Sequence, residues 1–144
     1  MIPSPPPNHD TGSLRERYAA RIRASREEKN LTQAALGKLA GLHRSYVSQV
    51  ERGVINVSLD NLEKFQRALE LNVTQDGRPL RTKLGDRLRA ARARINASQE
   101  ELAELAKVPV LYVSRVERGV VGTSLDQIEK LASALRIDDE SLLE

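Results

Sequence analysis

The chain has 144 residues, enough for one ordinary domain or two small ones, and its 23 Lys plus Arg against 20 Asp plus Glu give a formal charge of +3. Cysteine is absent, which excludes disulfide frameworks, thiolate metal sites and cysteine nucleophiles and suits a reducing compartment. Three Tyr, one Phe and no Trp leave too few aromatics for a single-strand stacking platform. No apolar run nears the ~18 residues that span a bilayer. The N-terminus has neither the basic nor the apolar region of a signal peptide. The expectation is a cytoplasmic protein, associated with the nucleoid when bound to DNA.

Met1 to Gly12 holds Pro3, Pro5, Pro6 and Pro7, lacks any helical or strand period, and reads as a disordered tail at 1–12. Beyond it the sequence repeats itself. Shifted by 66 positions it matches without a gap: Arg21-Ile22-Arg23-Ala24 falls on Arg87-Leu88-Arg89-Ala90, and Tyr46 to Val54 falls on Tyr112 to Val120 with one difference. Ser58-Leu59-Asp60 recurs as Ser124-Leu125-Asp126. The chain is two copies of a unit of about 60 residues, longer than most solenoid repeats and too few for a solenoid.

Each unit reads as short helices. The first runs from about Ser13 to Lys29 with Leu14, Tyr18 and Ile22 on one face; its twin starts near Lys83 with Leu84, Leu88, Ala91 and Ile95. The second helix follows a cap at Thr32 or Ser98, where Ser98 and Glu101 form a capping box, and ends near Ala40 or Ala106. The third covers Arg44 to Arg52 and Val110 to Arg118, each stopped by a glycine, Gly53 or Gly119, at the left-handed position. The fourth starts at Ser58 and at Ser124, the latter with Gln127 as a second capping box, and ends near Leu69 and Leu135. Copy two adds Asp138 to Leu143, enough for a turn or two. Copy one instead runs into Thr74-Gln75-Asp76-Gly77-Arg78-Pro79, which does not sustain a helix.

Two short helices joined by the tight turn Gly41-Leu42, the second ending at glycine, form a helix-turn-helix. Such a helix can enter a major groove about 12 Å wide. The segments Leu31-Thr32-Gln33-Ala34-Ala35-Leu36, Ala40 to Gly53, and Asn56-Val57-Ser58-Leu59 resemble the lambda-repressor and Cro-like (XRE) family, and Ala40 to Gly53 is similar to restriction–modification controller proteins. The resemblance implies an all-α chain of two tandem lambda-repressor-like helix-turn-helix domains, each of four to five short helices, at 13–73 and 83–144, with a linker at 74–82. It implies a sequence-specific regulator of a double-stranded DNA operator. Base contacts then fall on Arg44, Ser45, Ser48 and Gln49, and in copy two on Ser114 and Arg115. Backbone contacts fall on Gln33, His43, Arg52 and Asn56, and on Gln99 and Arg118. Arg26 with Glu51, and Arg92 with Glu117, match structural ion pairs of the family. Tyr46, Val47 and Val50 read as core by spacing, while His43 is equally suited to capping the helix, and Ser45 and Ser48 to plain surface.

Copy two departs at its tip: His43-Arg44-Ser45 becomes Pro109-Val110-Leu111, with no N–H at the proline and no hydrogen bond to offer a base edge. These residues suit thymine methyl groups or a protein partner at Val110 and Leu111. That leaves an alternative function, an antitoxin-like or antiactivator-like protein whose second domain binds a protein. The ten residues from Leu71 to Leu80 reach at most ~33–36 Å, close to the ~34 Å between half-sites, so pairing within one chain fits. Family controllers dimerise through a C-terminal helix, and only copy two keeps the matching Asp138 to Leu143, so the expectation is a homodimer through the second domain. An enzyme is not expected: two histidines, no glycine-rich phosphate loop and no His-x-x-x-His or Glu-x-x-His spacing give no catalytic centre, metal or cofactor site.

Overall fold

The computed structural model describes residues 12–71 and 77–143. The Pro-rich tail and part of the inter-repeat connection lie outside them. Among the described residues the chain forms α1 (Leu14–Glu28), α2 (Gln33–Ala40), α3 (Arg44–Glu51), α4 (Leu59–Leu69), α5 (Leu80–Arg94), α6 (Gln99–Ala106), α7 (Val110–Glu117), α8 (Leu125–Leu135) and a 3-10 turn at Asp139–Leu142. The order repeats every four helices, and none is long and apolar enough to cross a membrane. The core of the first repeat is built from Leu14, Ile22, Leu36, Val47, Leu59, Leu62, Phe65 and Leu69, and that of the second from Leu84, Leu88, Leu102, Val113, Leu125, Ile128 and Leu131, all at most 2% exposed.

Local chemistry sets the helix ends. Thr32 and Ser58 accept from the N–H three residues on, and Ser98 with Glu101 closes a capping box. Gly53 and Gly119 lie just past α3 and α7 at φ 70° and 69°, where a side chain is strained. Three expectations change. α5 begins at Leu80, three residues early, because Leu80 is buried. Ile95 is 51% exposed, since the helix stops at Arg94 and the apolar register ends with it. Ser124 makes no side-chain cap; the cap of α8 comes from the other repeat.

The two repeats meet about a pseudo-two-fold axis. Leu59 N donates to the Thr123 carbonyl (2.8 Å) and Leu125 N to the Val57 carbonyl (2.9 Å). The result is an antiparallel bridge between Ser58 and Ser124, residues that the 66-residue shift makes equivalent. Glutamates cross the same seam: Leu14 N donates to Glu129 Oε2 (3.1 Å) and Leu80 N to Glu63 Oε2 (2.9 Å). Each long helix thus has its first turn satisfied by a carboxylate of the other repeat, where the helix dipole favours negative charge. For α5 this replaces a local cap, because Pro79 offers none.

The C-terminal turn breaks the symmetry. Arg17, 6% exposed, grips Asp139 through two bonds (2.6 and 3.1 Å) and Glu140 through one (2.8 Å), and Arg21 reaches Glu140 at 2.5 Å. Asp139 and Glu140 belong to the segment Asp138 to Leu143, expected to bind a second chain. Here its Asp139 and Glu140 are latched onto the first repeat of its own chain, and its Leu142 and Leu143 are buried.

Arg17→Ala, which removes both bonds to Asp139 and leaves the buried Glu140 with Arg21, is expected to cost about 3 kcal/mol. Glu63→Ala, which uncaps α5, is expected to cost about 1 kcal/mol. Urea unfolding of the two variants checks both the magnitudes and their order.

Candidate nucleic-acid interface

The first repeat holds α3 from behind. Val47 and Val50 are buried, and Tyr46 stacks at 6.3 Å on Phe65 while its hydroxyl accepts from Asn61 Nδ2 (3.0 Å). Glu51, also buried, closes the helix's inner face. It accepts from Arg26 Nε (2.7 Å), Arg26 Nη2 (2.9 Å) and Gln33 Nε2 (3.1 Å). A third Arg26 bond goes to the Leu31 carbonyl (2.8 Å). This bidentate fork ties α1, the start of α2 and the end of α3 into one rigid unit.

The second repeat copies the arrangement. Arg92 meets Glu117 at 2.7 and 2.9 Å and the Ala97 carbonyl at 2.9 Å; Gln99 reaches Glu117 at 3.0 Å. Burial pushes the Glu117 carboxyl up, but hydrogen bonds from Arg92 and Gln99 and the nearby charges of Arg92 and Arg89 outweigh it, holding the group below the usual carboxylate range.

The outer face of the first repeat is polar and cationic. Arg44, Ser45, Ser48, Gln49 and Arg52 line one open groove with Thr32, Gln33, Ala34 and Arg26, and no carboxylate is among its lining residues. α3 is eight residues, about 12 Å long, a fit to the major groove. His43 caps it: Ser45 N donates to His43 Nδ1 (3.0 Å), and the Ser45 hydroxyl lies 2.7 Å from the same nitrogen. An Nδ1 that accepts from a backbone N–H is unprotonated, so the ring proton sits on Nε2, a donor of the kind a phosphate accepts.

Asn56 is elsewhere. Its Nδ2 donates to Ser124 Oγ (2.8 Å) and its Oδ1 accepts from Asp126 N (3.0 Å). It therefore caps α8 across the seam, a role the motif did not indicate. The equivalent of Asn56 in copy two is Gly122, which has no side chain to return the favour.

The second face keeps the scaffold and changes the chemistry. Ser114 is half-buried, and Arg115 and Arg118 are exposed. Pro109 starts α7 with no side-chain cap, and Val110 and Leu111 are 41% and 51% exposed. Glu100, Glu101 and Glu104 are exposed on α6 at the positions of Ala34, Ala35 and Lys38. Sequence reasoning missed this acidic substitution. The signal lies in the repeat alignment, where the 66-residue shift sets these three glutamates on two alanines and a lysine. The backbone N–H of Ser98 holds the Glu101 carboxyl below its usual range.

A helix-turn-helix family model matches residues 22–75, and a second helix-turn-helix domain model matches 83–144. The control protein C.BamHI of Bacillus amyloliquefaciens is 43% identical over 60 residues, 41% of this chain and 74% of that protein. The control protein C.SmaI of Serratia marcescens is 38% identical over 60 residues, 42% of this chain and 71% of its own length. The chain belongs to the XRE-type helix-turn-helix family of DNA-binding transcription regulators. The crystal structure of the restriction–modification controller protein C.AhdI from Aeromonas hydrophila is 45% identical, covers 43% of this chain and 94% of that one, and gives a TM-score of 0.42. XRE-type domains occur here in tandem, so each relative matches less than half of the chain.

The Glu117 site carries a pH signature. Its folded-state pKa lies below the unfolded value of about 4.3, so its stabilisation is complete above that pH and is lost as pH falls through the folded value. Glu117→Gln should therefore flatten the acid limb of a stability–pH curve. At neutral pH the variant should lose about 3 kcal/mol, because Arg92 loses its charged partner. Chemical denaturation between pH 3 and 7 in parent and variant reads both effects.

Proposed function

We infer that the chain is a sequence-specific, double-stranded DNA-binding transcription regulator of the repressor or controller type, reading its operator mainly with α3 of the first repeat. The observation that carries this is the pairing of a rigid rear with a reactive front. Glu51, Arg26 and Gln33 lock α3 from behind, while Arg44, Ser45, Ser48 and Gln49 stand in one carboxylate-free groove. The similarity to C.BamHI and C.SmaI, both control proteins, supports the controller form of the reading.

In this mechanism Arg44 makes a bidentate contact with guanine O6 and N7, and Gln49 pairs with adenine N6 and N7. Ser45 and Ser48 contact the adjoining base edges. His43 Nε2–H, Arg52 and the second amide hydrogen of Gln33 hold phosphates, which position the helix without specifying sequence. The N-termini of α2 and α3 add fixed positive potential toward the same phosphates.

In the second repeat Gln99, Ser114, Arg115 and Arg118 occupy the corresponding positions, beside three exposed carboxylates and an apolar tip. Base reading is accordingly weighted to the first repeat, and the preferred site lacks two-fold symmetry within one chain.

Selection of binding sites from random duplexes by the full chain tests this. A defined consensus is expected. Arg44→Ala should lose ~1–3 kcal/mol on it and relax one position, whereas Arg52→Ala should weaken all duplexes evenly and lower the salt slope by about 1. No enrichment, or an enriched site bound equally well by Arg44→Ala, overturns the reading.

A further inference from the structure

The start of α3 contains a hydrogen bond whose direction can be worked out. Nδ1 of His43 is approached twice by Ser45, by the backbone N–H at 3.0 Å and by the hydroxyl oxygen at 2.7 Å. The first contact needs a lone pair on Nδ1, so that nitrogen carries no hydrogen. Two lone pairs do not close to 2.7 Å without a proton between them, so in the second contact the Ser45 hydroxyl donates. A serine hydroxyl has one proton and two acceptor lone pairs. With its proton directed at His43, Ser45 has only lone pairs to offer the groove it lines.

We propose that His43 is a positioning residue for base recognition that acts through Ser45: by holding the hydroxyl proton it makes Ser45 an acceptor alone, so the operator position that Ser45 meets carries an amino base, adenine or cytosine, on the contacted strand. This rests on the reading of α3 as the helix that enters the major groove.

The edges of the bases decide the preference. In the major groove adenine N6 and cytosine N4 present donors, whereas guanine N7 and O6 and thymine O4 present acceptors. A serine with a free hydroxyl serves either kind by turning its proton. Here the proton must first leave His43 Nδ1 before Ser45 can donate to guanine or thymine, which sets a cost against those bases as well as a contact in favour of the others. His43 is not among the residues that line the groove, so its influence on a base passes through Ser45. The pair belongs to the first repeat alone, because the 66-residue shift puts Pro109 and Leu111 at these positions, with neither ring nor hydroxyl.

Selection from random duplexes at about pH 8 by the full-length parent, Ser45→Ala, His43→Ala and His43→Asn is the test. Ser45→Ala should lose its preference at one position, which marks the base that Ser45 meets. The parent should select adenine or cytosine there, and an analogue of that base lacking the amino group should bind about fivefold more weakly. His43→Ala frees the hydroxyl, so the same position should come to admit guanine and thymine, on top of an even loss on all duplexes from the missing cap. His43→Asn supplies an amide oxygen that accepts from Ser45 in place of the ring. It should restore the amino-base preference, while affinity owed to the ring Nε2–H stays lost. A role in folding alone would not move base choice at a single position. Guanine or thymine selected there by the parent, a preference unchanged in His43→Ala, or no position lost in Ser45→Ala overturns the proposal. Each of these leaves a consensus standing; the absence of any consensus instead overturns the reading of α3 itself. In the free chain, proton–nitrogen correlation spectra of the imidazole should place the ring hydrogen on Nε2. A hydrogen on Nδ1 reverses the bond to Ser45 and overturns the proposal without reference to DNA.

Discussion

Two backbone hydrogen bonds between Val57–Leu59 and Thr123–Leu125 decide how everything else is placed. They join equivalent segments of the two repeats reciprocally, so they impose a pseudo-two-fold axis and fix where each α4-type helix starts. The exchanged caps follow from that axis: Glu63 can reach the first turn of α5, and Glu129 that of α1, only when the repeats sit in this register. A helix N-terminus left without such a partner would bury unsatisfied N–H groups, so the seam and the long helices stabilise each other. Tyr112 extends the link outward. Its hydroxyl bonds the side chain of Thr123, whose carbonyl is in the seam, tying α7 to the axis.

Within each repeat the arginine–glutamate fork does a different job. It fixes the angle between the helix that reads and the helices that carry it. A buried fork is costly in desolvation, so it adds little stability over a well-packed apolar pair; its use is geometric, since two parallel bonds permit one arrangement. Both repeats kept the fork while their outward faces diverged. Rear and front are therefore separable in this fold: one sets position, and the other sets what is met there.

Much of this was legible in the sequence. The 66-residue shift exposed the repeat, the spacing of Val47 and Val50 identified the inner face of α3, and Thr32, Ser58 and Ser98 announced helix starts through local chemistry. These signals survive because they act over three or four residues. What stayed hidden acts across 68 to 123 positions. Asn56 looked like a backbone contact because its neighbours belong to a DNA-reading motif; nothing local says that Ser124 lies beside it. Asp139 and Glu140 looked free for another chain for the same reason, their partners Arg17 and Arg21 being at the other end of the molecule. The candidate groove sits between these cases. Its residues could be named from the motif, but their common front and their freedom from carboxylates required α2 and α3 to be seen together.

The seam's location inside one chain has a consequence for dilution. When two separate chains form such a seam, it opens as concentration falls below their dissociation constant, and the amount of paired species rises with the square of the amount made. Here the ten-residue connection from Leu71 to Leu80 holds the halves at an effective concentration on the order of millimolar. The seam therefore stays closed at nanomolar levels, and the population of correctly oriented α3 helices rises in simple proportion to the number of chains synthesised.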